Sequence, residues 1–160
     1  MTVLTPSVRR VQTAAAGASA LVVARLLLEV AVHERSRATD WRPVVRAAIQ
    51  QVASDCSSPN WDGYGAKPVS LRSKENAQRL VDLLPVDLPE PQAVADPDGH
   101  IALWWDFGRD RVLTISVDES EVASYAGIFG RDVRRHGQEP FRDDVARALL
   151  DSIREVSSRG

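Results

Sequence analysis

Seven consecutive residues, Asn60-Trp61-Asp62-Gly63-Tyr64-Gly65-Ala66, combine two aromatics, two glycines and a carboxylate. The glycines can take backbone angles closed to other residues. Trp and Tyr each bring a large apolar body with a polar tip. Such a set suits recognition by Trp61, Asp62 and Tyr64, and it contains no complete reaction centre. The same letters also suit an Ω-type loop packed by its own aromatics, and the two roles are compatible. A second aromatic signal is Trp104-Trp105-Asp106. Adjacent strand residues point to opposite faces. Trp105 falls with Ile101, Leu103 and Phe107, while Trp104 falls opposite, between Ala102 and Asp106. Unless a helix or the Trp61 loop covers it, Trp104 is an exposed anchor of the kind enriched at interfaces.

Asp96-Pro97-Asp98-Gly99-His100 places two carboxylates beside an imidazole, possible ligands for a hard or borderline cation. A metal-assisted hydrolase built from Asp62, Asp96, Asp98 and His100 is therefore an alternative reading. A hairpin turn explains the same letters without metal, and the further oxygens of a calcium loop are missing. Arg131, Arg134 and Arg135, with His136, could contact phosphate and give a nucleic-acid reading. Asp132, Glu139, Asp143 and Asp144 dilute that charge, and no helix-turn-helix signature or aromatic-studded basic strand accompanies it. His33, His100 and His136 stand in unrelated contexts. No G-x-S-x-G elbow or glycine-rich phosphate loop occurs. The reading therefore leans away from an enzyme, with no cofactor implied.

The elements that must position these residues follow from hydrophobic period. Residues 7–37 read as one long helix with a wide apolar stripe between Leu21 and Val32, to be covered by its own domain, a second copy or a partner. Thr39-Asp40 can cap a second helix, with Pro43 in its first turn and Trp41, Val44, Val45, Ala48, Ile49 and Val52 on one face. Ser70 or Ser73 caps a third, carrying Ala77, Leu80, Val81 and Leu84 and closed by Pro85. Pro85, Pro89 and Pro91 space a stiff connector. The period then changes to two. Strands are predicted over Gln92–Ala95, Ile101–Phe107, Val112–Val117 and Val122–Ile128, joined by short turns. Phe129–Pro140 reads as a polar loop. A last amphipathic helix is predicted from about Phe141 to Ser157.

The predicted fold is α+β: N-terminal helices, a four-stranded antiparallel meander and a C-terminal amphipathic helix. Residues 1–38 form the long helix, and 39–160 a single domain. The 160 residues suffice for one ordinary core, and 44% hydrophobic with 26% charged residues is globular composition. A net charge of −2 supplies no global field for nucleic acid. Basic excess sits only in residues 1–38, where five Arg face Glu29 and Glu34. Cys56 is the sole cysteine, so no internal disulfide can form, which fits a reducing cytoplasm. Arg25 and Glu29 interrupt the apolar run Ala20–Val32, which falls short of the ~20 residues a membrane span needs.

Asn60–Ala66 followed by Pro68, together with Pro97–Trp105 (P-D-G-H-I-A-L-W-W), resembles an uncharacterised family of short bacterial proteins over about residues 58–128. This chain has His100 where a second glycine often follows P-D-G, and Trp104 where an acid is common. The resemblance implies a module and no particular activity. The expected function is a small bacterial protein–protein interaction module, accessory, antitoxin-like or immunity-like. Its expected partner is another protein, or a second copy engaged through the N-terminal helix.

Overall fold

The computed structural model of the chain describes residues 40–158. Two helices come first, α1 (Arg42–Asp55) and α2 (Leu71–Leu83). Five strands follow: β1 (Gln92–Ala95), β2 (Ile101–Asp106), β3 (Arg111–Val117), β4 (Val122–Phe129) and β5 (Arg134–Pro140). A last helix, α3 (Arg147–Ser157), ends the described chain. Every strand pairs antiparallel with its sequence neighbour, giving the order β1-β2-β3-β4-β5. Residues Asp40–Gly160 cluster as one unit. The helix expected over 7–37, and the oligomeric role expected of it, lie outside the described residues.

Register explains the core. Ile101 pairs with Val117, Leu103 with Ile115 and Trp105 with Leu113, so one face of β2 and β3 is continuously apolar. All six side chains are buried. The three helices cover this same inner face. Val45 and Ile49 come from α1, Ala77, Leu80 and Val81 from α2, and Leu149, Ile153 and Val156 from α3. Two indoles then clip the proline-spaced connector to the core. Trp41 Nε1–H donates to the Leu88 carbonyl at 2.7 Å, and Trp105 Nε1–H to the Pro89 carbonyl at 2.8 Å.

Ser70 is the cap of α2, its side chain accepting the Ser73 N–H. Ser73 instead is fully buried. Its hydroxyl donates to the Val117 carbonyl and accepts the Ile101 N–H, joining α2 to the ends of β2 and β3. Asp40 serves the start of α1 from one residue further out than a cap. Its Oδ1 accepts the Arg42 N–H at 3.1 Å, and the carboxylate also receives the Arg42 guanidinium. That guanidinium holds the Asp40 carboxyl below its usual range.

Two expectations need correction. The sheet has five strands, not four, because the polar stretch after Phe129 turns at Gly130–Val133 and returns as β5. Arg134-Arg135-His136-Gly137-Gln138-Glu139-Pro140 has no apolar alternation, being an edge strand with little buried on either side. A period-two pattern appears only where one face is covered. Its register on β4 is marked by Gly137, opposite Tyr125: a Cβ there would sit 2.8 Å from the Tyr125 ring. The last helix starts at Arg147, not near Phe141. Phe141 and Val145 have helical spacing and are buried, but an irregular segment carries them to the core. The Phe141 N–H donates to the Glu121 carbonyl, continuing the sheet rather than opening a helix.

Candidate interaction surface

The loop between α1 and α2 is closed by its own polar groups. Asn60 adopts φ 60°, and its side-chain oxygen accepts the Gly65 N–H at 2.7 Å. Its N–H donates to the Ala66 carbonyl, also at 2.7 Å. The Asp62 carboxylate accepts the Tyr64 N–H at 2.8 Å and the Ala66 N–H at 3.1 Å. These backbone donors hold the Asp62 carboxyl below the ordinary range. Trp61 is half-buried, and its indole N–H donates to the Lys67 carbonyl at 2.9 Å. Gly63 and Gly65 both have positive φ, 78° and 95°. Asn60, Trp61 and Asp62 therefore build the loop. Tyr64, at its tip, is 94% exposed.

The loop is anchored to the β1–β2 hairpin. The Lys67 N–H donates to the Pro97 carbonyl at 2.8 Å, and the Ser70 N–H to the Gly99 carbonyl at 3.0 Å. Gly99 has φ 93°, and a Cβ there would lie 2.6 Å from the Pro68 carbonyl oxygen. Only glycine meets both demands. Two motifs far apart in sequence, N-W-D-G-Y-G-A with Pro68 and P-D-G, thus form one structural unit.

The candidate metal ligands do not converge. Asp62 is committed to its loop. Asp96 accepts the Ser116 hydroxyl across the sheet, above Ala102. Asp98 and His100 pair, Oδ2 to Nδ1, at 3.2 Å beside a cleft of about 450 Å³ that Lys67, Ser70 and Glu119 also line. Among the described residues no three His, Cys, Asp or Glu side chains form a metal-binding group. Cys56 is partly buried, and burial pushes its thiol pKa up, away from a reactive thiolate.

The arginines also separate. Arg131 is exposed in the β4–β5 turn. Arg135 projects to the helix side, pairs with Glu155 of α3 and lies 5.0 Å from the Phe129 ring centroid. Arg134 and His136 project to the outer face of the sheet, because β5 pairs Arg134 with Ile128 and His136 with Ala126. Trp104 stands on that outer face too, half-buried, three residues along β2 from the hairpin that holds the loop. The loop residues and Trp104 thus occupy different parts of the domain. Composition flagged them equally; the structure divides them into supports (Trp61, Asp62), one displayed group (Tyr64) and Trp104, which is half-buried on the sheet and not the exposed anchor expected of it. Asn60, a loop-building residue, carried a signal of its own, since asparagine tolerates the left-handed region.

Fold and site define an α+β protein with helices on one face of a five-stranded antiparallel sheet and a braced aromatic loop at the first hairpin. No protein-family model, curated protein or solved structure matches the chain. No helix among the described residues is long and apolar enough to cross a membrane.

Proposed function

We propose that this chain is a small bacterial protein-interaction module, accessory, antitoxin-like or immunity-like in role, whose contact with another protein centres on Tyr64. One observation supports this reading above the others. A tyrosine 94% exposed stands at the tip of a loop whose shape is held by hydrogen bonds of the Asn60, Trp61 and Asp62 side chains. Packing gives no reason for such a residue, since its ring buries nothing at home. A rigid loop loses little conformational freedom on binding, and tyrosine is enriched among interface hot spots. Trp61 and Asp62 position the loop, and Tyr64 makes the contact. Trp104 belongs to a separate surface.

The test is capture from host lysate by the immobilised chain and by Tyr64→Ala. A protein held by the wild type should bind the variant about thirty-fold more weakly, the loss of roughly 2 kcal/mol expected for a hot-spot aromatic. The melting temperature should not move, because Tyr64 contributes no buried area. Equal capture by wild type and Tyr64→Ala would remove the proposal.

A further inference from the structure

The outer face of the sheet holds an open depression of about 360 Å³ that spans β3, β4 and β5. Val112, Ala126 and Ile128 floor it, and Arg134 and His136 stand along its β5 side. Its volume falls in the range of small-molecule sites. Its make-up does too, an apolar bed with a few polar groups at one end. The larger cleft beside Asp98 and His100 has no such bed, since Lys67, Ser70 and Glu119 also line it.

Strand register dictates the arrangement. Val112 pairs with Ile128 and Ile128 with Arg134, while Ala126 pairs with His136. The apolar side chains thus lie on β3 and β4, and the basic ones together on β5. Alternate residues of a strand stand roughly 7 Å apart on one face. Arg134 and His136 can therefore reach one anionic group from two sides. Arg135, between them, turns to the helix side and is paired with Glu155. Arg134 and His136 are exposed, and neither pairs with a carboxylate among the described residues. The acids nearest the hollow, Asp106 and Asp110, lie at the β2–β3 turn, and Asp106 is bonded to the Gly108 N–H. Charge across the hollow is therefore polarised, and it turns an anionic head toward β5.

We infer that this hollow is a binding site for a flat aromatic acid, whose ring lies on Val112, Ala126 and Ile128 and whose carboxylate is held between Arg134 and His136. Two strand spacings separate β3 from β5, ~10 Å, the length of a two-ring aromatic with its carboxylate. A guanidinium matches a carboxylate through two parallel N–H donors, which fixes the ligand's direction as well as its charge. The ring covers apolar floor that water otherwise wets. The hollow is open, so one face of the ring stays in water and binding is modest. The inference goes beyond the Tyr64 reading and stands independently of it.

The experiment is titration of the isotope-labelled full chain with naphthoate, followed through backbone amide shifts. The amides of Val112, Ala126, Ile128, Arg134 and His136 should move together and saturate, with Kd on the order of 1 mM or tighter. Naphthamide, the same ring without the charge, should bind about ten-fold more weakly, as should naphthoate to Arg134→Glu. Ala126→Glu, which fills the hollow with a charge at an exposed position, should abolish the shifts. Unchanged amide shifts in the β2–β3 core show that each variant is folded, and two variants on different strands guard against one misfolding. Tyr64→Ala should bind naphthoate like the wild type, which separates this outcome from failure of the partner-binding reading. Equal binding of naphthoate and naphthamide overturns the inference, as does naphthoate binding that both folded variants leave intact. Amides that do not move at saturating naphthoate overturn it too, and leave the hollow to another occupant, a protein surface or another segment of this chain.

Discussion

Asp62 and Tyr64 sit two residues apart and do opposite things. The Asp62 carboxylate collects two backbone N–H groups and is spent on its own loop. Tyr64 has its ring in solvent. The pH dependence follows from the first. Hydrogen bonds to the ionised carboxylate lower its folded pKa below the ordinary ~3.9. The ordering it provides is therefore fully present above that ordinary value, and is lost as pH falls through the lowered one. Protection factors of the Tyr64 and Ala66 amides should fall on acidification below about pH 4, ahead of those of the β2–β3 core. In Asp62→Ala they should be low at every pH. Protection in the wild type that persists unchanged to global acid unfolding would contradict this account.

At the scale of elements, the decisive contacts are those that tie helix and loop to the sheet. Ser73 is fully buried, and its hydroxyl serves both the Val117 carbonyl and the Ile101 N–H. Ser73→Ala leaves both unpaired in the interior. The expected cost is about 1–3 kcal/mol, read as a lower denaturation midpoint at unchanged slope. Ser70→Ala removes only a cap, at about 1 kcal/mol. A smaller effect at Ser73 than at Ser70 would show that the hydroxyl is not the joint between α2 and the sheet. The sequence allowed either serine as the cap, because both lie within one turn of the apolar pattern. Only the approach of β2 and β3 assigns them different tasks.

For the whole molecule, helices on one face leave the other face of the sheet to be accounted for. Among the described residues the helices bury Ile101, Leu103, Trp105, Leu113, Ile115 and Val117 from one side only, so the domain has one shared core. Leu103→Ala should therefore cost about 2–5 kcal/mol, read as a lower denaturation midpoint at unchanged slope. A loss well under ~1 kcal/mol would contradict a single core common to the helices and the sheet.

Secondary structure with a covered face was legible in the sequence, because burial on one side imposes a period. α1, α2 and strands β1 to β4 carry that period and were read within a few residues. β5 and the true start of α3 were not, since an edge strand with little covered has no period to show, and Phe141 and Val145 mimic one without a helix. The aromatic loop was visible as composition. That it docks on Pro97-Asp98-Gly99, that Trp61 braces it while Tyr64 is displayed, and that Arg134 and Arg135 face opposite ways were decided only in three dimensions. Those facts depend on which backbone groups meet across long sequence separations, and residue types do not encode such pairings locally.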